Sequence, residues 1–405
     1  MSYRSHHQPN LALAILALSI GACTDAPTAP TALTTPAGPS LSAVKFWEVG
    51  SSVDWNRAAR ELIASRARDD MTFRNPANHL RIVTYLSVAQ YNAVIAAEDM
   101  KERGSHASLT AAVAGASVVV LKSFLGDFPG MAQAIDARLE AQLDREQWPG
   151  ERHRDLEVGE AVGRAIGAQI AAYAATDRFN QTAVPANPGG PGNWKGNPFR
   201  SLYGTKLLVL TSASQFRPLP HPPVGSAEFN AALDEVRALA ADPTPAQRVI
   251  MTSWAARGDQ FMNEVAAELI VARRLSEREA ARVFALANMA GFDGVHACFE
   301  AKFHYYLIRP YEVDISIETR LGKIPHPSYP SAHSCITSAY ATVLARVFPS
   351  ERERFEAMIE EAGVSRIYAG LHYRFDLEAG QELGRQVAGY VLENAANQRT
   401  TIPLD

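Results

Sequence analysis

The chain has 405 residues, of which 47% are hydrophobic and 20% are charged, so it is long enough to bury one large core or two medium ones. Its formal net charge is −4, and it contains no long run of Lys or Arg. Proteins that bind nucleic acid normally carry a basic patch or stripe, so this balance argues against nucleic acid as a partner.

The N-terminus has the composition of a bacterial export signal. Arg4 and two histidines precede the apolar run LALAILALSIGAC, which is too short to remain as a membrane-spanning helix. The run ends in Ile20-Gly21-Ala22-Cys23, which resembles a lipobox, in which the cysteine is lipidated and becomes the mature N-terminus. An ordinary cleavable signal with an incidental cysteine is the alternative. We expect an exported lipoprotein of a bacterium, periplasmic or on the cell surface, that contacts the membrane only through Cys23.

Most of the remaining chain is predicted to be helical. Apolar residues recur every three or four positions in 78–99 and 107–125, and alternating β-branched runs are few. Within 183–226 proline and glycine replace this pattern, which predicts a long loop or hinge. Later helices are predicted to begin near Ala227, Ala246, Gln260 and Arg278. We expect the last of them to reach Pro310.

These features predict an all-α protein built from two consecutive helical bundles. The predicted divisions are a signal (1–22), a Pro/Thr/Ala-rich tether (23–45), an N-terminal helical region with a Pro/Gly-rich connector (46–225) and a C-terminal bundle (226–405). Cys298 and Cys335 fall in helix-like segments without the spacing of a disulfide scaffold, so we expect buried free thiols, with a disulfide between them as the alternative.

Three short patterns in the last quarter of the chain contain candidate functional residues. In the first, Lys302 and Arg309 are seven residues apart, which is two helical turns. We expect both on one face of a helix, about 10 Å apart, with Pro310 marking the helix end. Two cations on one helix face are usually a solvated stripe, so this pattern is weak alone.

The second pattern is Pro330-Ser331-Ala332-His333-Ser334, which precedes an apolar helix body. Ser331 is a good N-cap residue. The free amide groups of Ala332 and His333 then point out of the helix start, where they can bind an anion. A plain capped helix with a nearby histidine explains the same residues.

The third pattern is Ser365-Arg366 followed by His372 and Asp376. A histidine and an aspartate four residues apart share a helix face, so the carboxylate can accept the ring N–H. The other ring nitrogen is then free to act as a nucleophile or a metal ligand. Such pairs are also common as surface contacts.

Together, K-x6-R-P, P-S-x-H and S-R-x5-H-x3-D resemble the three-part signature of the superfamily of phosphatidic acid phosphatase type 2 (PAP2) enzymes and vanadium-dependent haloperoxidases. This resemblance implies that a tetrahedral oxyanion is bound by Lys302, Arg309, Ser331, the backbone amide of Ala332, and Arg366. The superfamily usually has glycine at position 332. Alanine retains the amide donor, so binding survives unless this position needs a positive φ.

The resemblance also assigns roles to the histidines. His372, supported by Asp376, binds phosphorus or vanadium at one apex of the anion, and His333 acts as acid and base at the other. His326 lies seven residues before His333, and HPSYPSxH resembles the segment of vanadium bromoperoxidases whose first histidine lines the halide side. On this interpretation Lys302 polarises the peroxide.

Phosphate and vanadate fit the same cationic cage, because three cations can neutralise an anion of two or more charges. His326 and the long N-terminal helical region favour a vanadium-dependent haloperoxidase, with vanadate as cofactor, that oxidises bromide or iodide with hydrogen peroxide to hypohalous acid. Only 31 residues separate His333 from Ser365, and this short spacing favours a PAP2-type acid phosphatase. Such a phosphatase needs no cofactor and hydrolyses a phosphate ester through a phosphohistidine.

Other classes of protein fit less well. A zinc hydrolase is disfavoured because H-E-x-x-H is absent and the cationic cage repels metal cations. A serine hydrolase is disfavoured because no G-x-S-x-G elbow occurs. A non-enzymatic oxyanion-binding lipoprotein would need the cage but neither His333 nor His372. The sequence leaves homo-oligomerisation, halide preference and the organic acceptor open.

Overall fold

The computed structural model of the chain describes residues 50–69, 76–104, 106–146, 153–179, 184–196, 202–257 and 261–395. The predicted signal, Cys23 and the tether lie outside these ranges. The described residues form thirteen α-helices and no β-strand, which confirms the all-α prediction. Within the same ranges, no helix combines the length and apolarity needed to cross a membrane.

In the described ranges, five α-helices precede the connector and eight follow it. The first five are α1 (Ser51–Asp69), α2 (Pro76–Glu102), α3 (Leu109–Leu125), α4 (Met131–Glu146) and α5 (His153–Ala175). The other eight are α6 (Ala227–Ala241), α7 (Pro245–Arg257), α8 (Phe261–Ala272), α9 (Glu277–Tyr305), α10 (Pro310–Val313), α11 (Ala332–Val347), α12 (Arg352–Tyr368) and α13 (Arg374–Asn394). The predicted starts of α6, α7, α8 and α9 are therefore confirmed to within one residue.

Helix α9 is the central element of the fold. It begins at a capping box, in which the Ser276 amide donates to Glu279 Oε2 at 2.8 Å and the Glu279 amide donates to Ser276 Oγ at 3.4 Å. Nearly all of its residues from Ala280 to Phe303 are buried. It packs against α2 on one side and against α11 and α13 on the other. The N-terminal and C-terminal helices thus share one hydrophobic core.

The connector contains no helix in its described parts, 184–196 and 202–226, which confirms the predicted loop. Buried Asp293 on α9 anchors it. Its carboxylate accepts the backbone amides of Leu208, Val209 and Leu210, each at 2.8 Å. Three donors to one buried carboxylate fix the loop on the face of α9.

Helices α11 and α13 approach each other closely, which brings together the second and third sequence patterns. A Cβ atom added at Gly380 would lie 2.7 Å from the Ser331 carbonyl oxygen, and one added at Gly384 would lie 2.4 Å from the Cys335 carbonyl oxygen. Larger residues would push the helices apart. Cys298 and Cys335 are buried and free, as predicted.

Candidate active site

The first sequence pattern does not form one continuous helix. Helix α9 ends at Tyr305, and Tyr306 adopts the left-handed conformation with a φ of 52°. The next residues run along the connector, where the Ile308 amide donates to the Gly192 carbonyl at 2.9 Å. The expectation of Lys302 and Arg309 on one helix face is therefore wrong, and Pro310 begins α10 rather than ending α9.

Lys302 and Arg309 are nevertheless both fully buried and held by the same turn. Lys302 Nζ donates to the carbonyls of Pro327 at 2.9 Å and Ser328 at 2.8 Å. Arg309 Nε and Nη2 each donate to the His326 carbonyl at 3.0 Å. The segment HPSYPS thus wraps its backbone oxygens around two cations.

The guanidinium of Arg309 also contacts two imidazoles. Nη1 lies 3.0 Å from His372 Nε2, and Nη2 lies 3.0 Å from His326 Nδ1. A guanidinium can only donate, so His372 Nε2 is an acceptor and carries no proton, whereas His326 Nδ1 also lies 3.2 Å from the Pro327 carbonyl oxygen. The sequence predicted that His326 lies beside the oxyanion. In the structure its ring contacts Arg309, which also contacts His372.

His372 and Asp376 form the predicted hydrogen bond, although not for the predicted reason. His372 lies before α13 and Asp376 lies in its first turn, so the two residues do not share a helix face. The carboxylate instead turns back over the helix start. Its Oδ2 atom accepts His372 Nδ1 at 2.8 Å, the Tyr373 amide at 3.1 Å and Ser328 Oγ at 2.6 Å. Asp376 therefore holds the His372 proton on Nδ1 and leaves Nε2 with a lone pair.

The second pattern opens α11 as predicted. Ser331 is the N-cap, and its Oγ accepts the Ser334 amide at 3.4 Å. Its own amide donates to the Asp376 carbonyl at 2.8 Å, which joins the starts of α11 and α13. Ala332 and His333 are the first two residues of α11, and both are partly exposed. His333 makes a hydrogen bond to the backbone of Trp254.

Arg366 lies in the last turn of α12 and is almost fully buried. Its Nε donates to Ser365 Oγ at 2.9 Å, and Nη2 donates to the Met251 carbonyl at 3.2 Å. Because Met251 and Trp254 belong to α7, this helix positions both Arg366 and His333. No pattern in the sequence indicated that α7 positions these two residues. Ser328 was also missed as a site residue, although it lies within the HPSYPSxH segment.

Burial dominates the electrostatics of the site. It lowers the pKa of Lys302 to about 8 and that of Arg366 to about 10. It also raises the pKa of Asp376 to about 6, against the hydrogen bond from Ser328 and the nearby cations. The pKa values of three histidines fall well below their usual range, through burial and then the neighbouring cations: His326, His333 and His372. The imidazoles are therefore neutral near pH 7.

The charges of the site are unbalanced. In the described part of the chain, Lys302, Arg309 and Arg366 form no ion pair with a carboxylate, and the positive charges of all three lower the pKa of the nearby His333. Guanidinium and ammonium donors together with one unprotonated imidazole nitrogen suit a tetrahedral oxyanion that also accepts one coordinate bond. Vanadate and phosphate both fit this donor set. No group of acidic, histidine or cysteine side chains in the described ranges could hold a metal cation.

Sequence comparisons relate the chain to two kinds of protein. Residues 349–400 match a family model described as the VCPO second helical-bundle domain. The non-specific acid phosphatase of Salmonella typhi is 30% identical over 105 residues, which are 24% of this chain and 41% of that protein. The non-specific acid phosphatase of Providencia stuartii is 30% identical over 114 residues, which are 26% of this chain and 45% of that protein. The match thus spans less than half the length of these curated relatives.

Solved structures share the fold over most of the chain. The first bacterial vanadium-dependent iodoperoxidase of known structure superposes with a TM-score of 0.70 and 21% identity, covering 84% of this chain and 96% of that one. A holo-type bacterial vanadium-dependent chloroperoxidase gives a TM-score of 0.63 with 13% identity, covering 79% and 91%. At such identities the likeness concerns the fold. Together with the family model over 349–400 and the phosphatase relatives, this shared fold supports a relation of the chain to the superfamily of vanadium-dependent haloperoxidases and PAP2-type phosphatases.

Proposed function

We propose that the protein is a vanadium-dependent haloperoxidase that oxidises iodide or bromide with hydrogen peroxide to hypohalous acid. The observation that carries this proposal is the guanidinium of Arg309, which donates to His372 and to His326 at 3.0 Å each. It brings a third imidazole to the cage, whereas phosphoryl transfer needs only His372 and His333.

The extent of the structural likeness supports the same choice. The similarity to the iodoperoxidase covers 96% of that chain and so includes the N-terminal helices. The acid phosphatase relatives match only about a quarter of this chain. The helices before the connector have counterparts in the haloperoxidase fold. A phosphatase built from a single bundle has no counterpart for them.

His372 has the position and protonation state of the cofactor ligand. Its Nε2 lone pair is kept by the Nδ1 bond to Asp376 at 2.8 Å. His372 Nε2 would hold the oxyanion, and the Arg309 N–H that now donates to this nitrogen would be available to an anion oxygen. Bound vanadate supplies a Lewis acid that activates peroxide for oxygen transfer to a halide without itself changing oxidation state.

His333 and Lys302 have the complementary roles. His333 is partly exposed and neutral, because burial and the cations lower its pKa, so it can accept a proton from entering peroxide. Lys302 Nζ donates two of its hydrogens to backbone carbonyls and has a third for the reacting oxygen. His326 lies across Arg309 from His372, where its ring can contact the halide.

The alternative is a PAP2-type acid phosphatase, which the curated relatives favour. In that reaction His372 Nε2 attacks phosphorus, and His333 protonates the leaving oxygen of a phosphate monoester. The same cations stabilise the transferred group. This reaction needs no vanadate, and vanadate competes with it.

The two activities are separated by assays of purified protein with and without orthovanadate. We expect vanadate-dependent formation of triiodide from iodide and peroxide, and little hydrolysis of p-nitrophenyl phosphate. A His333→Ala variant keeps the cationic cage and should lose most halide oxidation. Phosphate-ester hydrolysis that vanadate inhibits, without any halide oxidation, would replace this proposal by the phosphatase.

We also propose that the protein is exported and attached through lipid on Cys23. The support is the Ile20-Gly21-Ala22-Cys23 sequence alone, since this segment falls outside the described residues. Mass spectrometry of the mature N-terminus should find a diacylated or triacylated cysteine. An unmodified N-terminus downstream of Cys23 would contradict the anchor.

A further inference from the structure

Helix α7 contributes no residue to the three sequence patterns, yet two of its backbone groups contact the candidate active site. The Met251 carbonyl accepts Arg366 Nη2 at 3.2 Å. The backbone of Trp254 forms a hydrogen bond with the His333 ring. Residues three apart lie on the same face of a helix, so both contacts come from one face of α7. This face meets a cation of the site on α12 and the proposed acid–base histidine on α11.

The bond between His333 and Trp254 has a defined direction. Burial and the neighbouring cations lower the pKa of His333, and the bond to Trp254 acts to raise it. A carbonyl that accepts a ring N–H favours the charged imidazole, whereas a backbone amide that donates to the ring favours the neutral one. His333 therefore donates to the Trp254 carbonyl. In the neutral ring the other nitrogen then carries a lone pair, which is the form that a general base requires.

The position of Trp254 in α7 leaves its carbonyl available for this bond. Helix α7 ends at Arg257, so Trp254 is among its last four residues, whose carbonyls have no partner within the helix. The same helix end carries the partial negative charge of the helix dipole, which favours a cationic imidazole. It therefore offsets part of the repulsion from the three nearby cations when His333 takes up a proton.

The indole of Trp254 fixes this end of α7 to the rest of the fold. The residue is 3% exposed, and its Nε1 donates to Glu361 Oε1 on α12 at 2.7 Å. The ring also packs edge-on against Phe261 at the start of α8, with 5.6 Å between the ring centres. Val249 in the same helix is 67% exposed, so α7 lies at the surface. The bond from the indole to Glu361 is therefore a specific polar contact between this surface helix and α12.

We propose that Trp254 and Glu361 are positioning residues for His333. Glu361 holds the indole, the indole holds the last turn of α7, and the Trp254 carbonyl in that turn sets the tautomer and direction of the His333 ring. Both residues act through His333 and not on the reacting atoms. The inference rests on the acid–base role of His333 in the proposed function, a role that the phosphatase alternative shares.

The first test compares Glu361→Leu with Glu361→Gln in the vanadate-loaded full chain. Glutamine keeps an oxygen that accepts the indole N–H, whereas leucine has none. General acid–base catalysis contributes about 10²–10⁴-fold, so misplacing the base should lower kcat for triiodide formation about tenfold in Glu361→Leu. Glu361→Gln should retain most of the wild-type kcat, and the Kd of orthovanadate should change less than about twofold in both variants. Equal kcat losses in both variants, or no loss in either, would overturn the proposal.

Glu356→Leu is the matched control. Glu356 is exposed on the same helix and pairs with Arg385 on α13 at 2.9 Å, so its loss removes a polar contact of α12 that does not involve α7. This variant should keep the wild-type kcat. A loss equal to that of Glu361→Leu would show that loosening of α12, and not the contact with α7, lowers the rate, and the proposal would fail.

Trp254→Phe tests the same contact from the other side. It removes the indole N–H and keeps the backbone carbonyl and an aromatic ring. It should reproduce the kcat loss of Glu361→Leu while the Kd of orthovanadate stays near the wild-type value. A wild-type kcat in Trp254→Phe would contradict the proposal.

A double-mutant cycle with His333→Ala separates positioning from a general loss of structure. If Glu361 acts through His333, Glu361→Leu should lower the residual rate of the His333→Ala variant by less than about twofold. The same loss in both backgrounds would show that Glu361 has only a structural role, and it would overturn the proposal.

The final test observes the His333 ring directly, without vanadate and without turnover. In the NMR spectrum of the full chain labelled with ¹⁵N-histidine, the ring signals that are absent from His333→Ala are those of His333. We expect one protonated and one unprotonated nitrogen in wild type and Glu361→Gln, and signals averaged between the two tautomers in Glu361→Leu. Identical His333 signals in wild type and Glu361→Leu would refute the inference and leave the proposed function standing. If wild type hydrolyses phosphate esters and oxidises no halide, the proposed function fails, and the ring signals still decide the inference.

Discussion

Arg81 of the N-terminal helices has a side chain that is 14% exposed, and Arg309 of the candidate site is fully buried, but of the two guanidinium groups only that of Arg81 contacts a carboxylate. Arg81 Nε donates to Asp177 Oδ2 at 2.7 Å and Nη2 donates to Oδ1 at 3.1 Å. Tyr85 adds a third donor to the same carboxylate at 3.0 Å. Within the described ranges, the Arg309 guanidinium donates to backbone carbonyls and imidazole nitrogens and to no carboxylate.

This difference separates a structural charge from a functional one. A buried cation with its own carboxylate is neutral within the fold, whereas a buried cation without one is desolvated at a cost. Lys302, Arg309 and Arg366 are all of the second kind. An oxyanion that binds between them would restore the balance, and it would stabilise the folded state by mass action.

The largest expected effect contrasts Arg81→Met with Lys302→Met. The first variant leaves buried Asp177 without its cationic partner and with only the Tyr85 hydroxyl and the Phe179 amide as donors, so it should lose about 3–5 kcal/mol of unfolding free energy. The second removes an unpaired buried charge and leaves the Ser328 carbonyl without a side-chain donor, so we expect a change within about 1 kcal/mol. Denaturant unfolding in phosphate-free buffer measures both. Equal losses would show that the two charges have the same structural role.

The next largest effect is on catalysis. His372→Ala removes the nitrogen that Asp376 and Arg309 position, so turnover should fall by more than about 100-fold, since losing only a supporting residue costs about 10–100-fold. His304→Ala removes an exposed histidine at the end of α9 and serves as control. Steady-state kinetics measure the turnover of both variants. Near-normal turnover of His372→Ala would refute the assignment of these residues to an oxyanion site.

Ser328→Ala should have a smaller effect through Asp376. The hydroxyl donates to the oxygen that orients His372, at 2.6 Å, so its loss should reduce oxyanion affinity or turnover about 10–100-fold. Ser338→Ala on α11 is the matched control, because that buried hydroxyl has no hydrogen-bond partner in the described structure. If both variants behave alike, Ser328 is only a packing residue.

The smallest effect is a pH dependence of anion binding. Burial lowers the pKa of Lys302 to about 8, so the folded protein binds fewer protons than the unfolded chain between about pH 8 and the usual lysine value. Without an anion, stability therefore rises with pH across this window. Phosphate affinity should fall above about pH 8, by at most about tenfold per pH unit. The Lys302→Met variant should lack this lysine-dependent slope. A slope identical to that of wild type would contradict the assignment.

The helices and some contacts of the candidate site were predictable because both depend on local sequence. Apolar periodicity located the starts of α6 to α9 to within one residue, although α9 ends at Tyr305 and not at Pro310, and Ser331 was identified as an N-cap from its side chain alone. The spacing also predicted the contact between His372 and Asp376. This contact is present although the two residues do not lie on one helix face. Local chemistry was sufficient for these features.

The remaining features depend on contacts between distant parts of the chain. The left-handed Tyr306 ends α9 where the connector pairs with residues 307 and 308, so the predicted common face of Lys302 and Arg309 was wrong. The carbonyl of Met251 on α7 holds Arg366 across 115 residues. A backbone acceptor carries no residue-type signal, so sequence spacing could not have found it.

The most direct test of the account is equilibrium binding of orthovanadate to the purified protein, with inorganic phosphate as competitor. Lys302, Arg309 and Arg366, which form no ion pair in the described structure, together with the unprotonated Nε2 of His372 predict one saturable vanadate site per chain, from which phosphate displaces vanadate. Binding should be lost in Arg309→Met and His372→Ala and retained in the folded fraction of Arg81→Met. Absence of saturable binding, or unchanged binding in Arg309→Met, would contradict the claim that these buried charges form an oxyanion site.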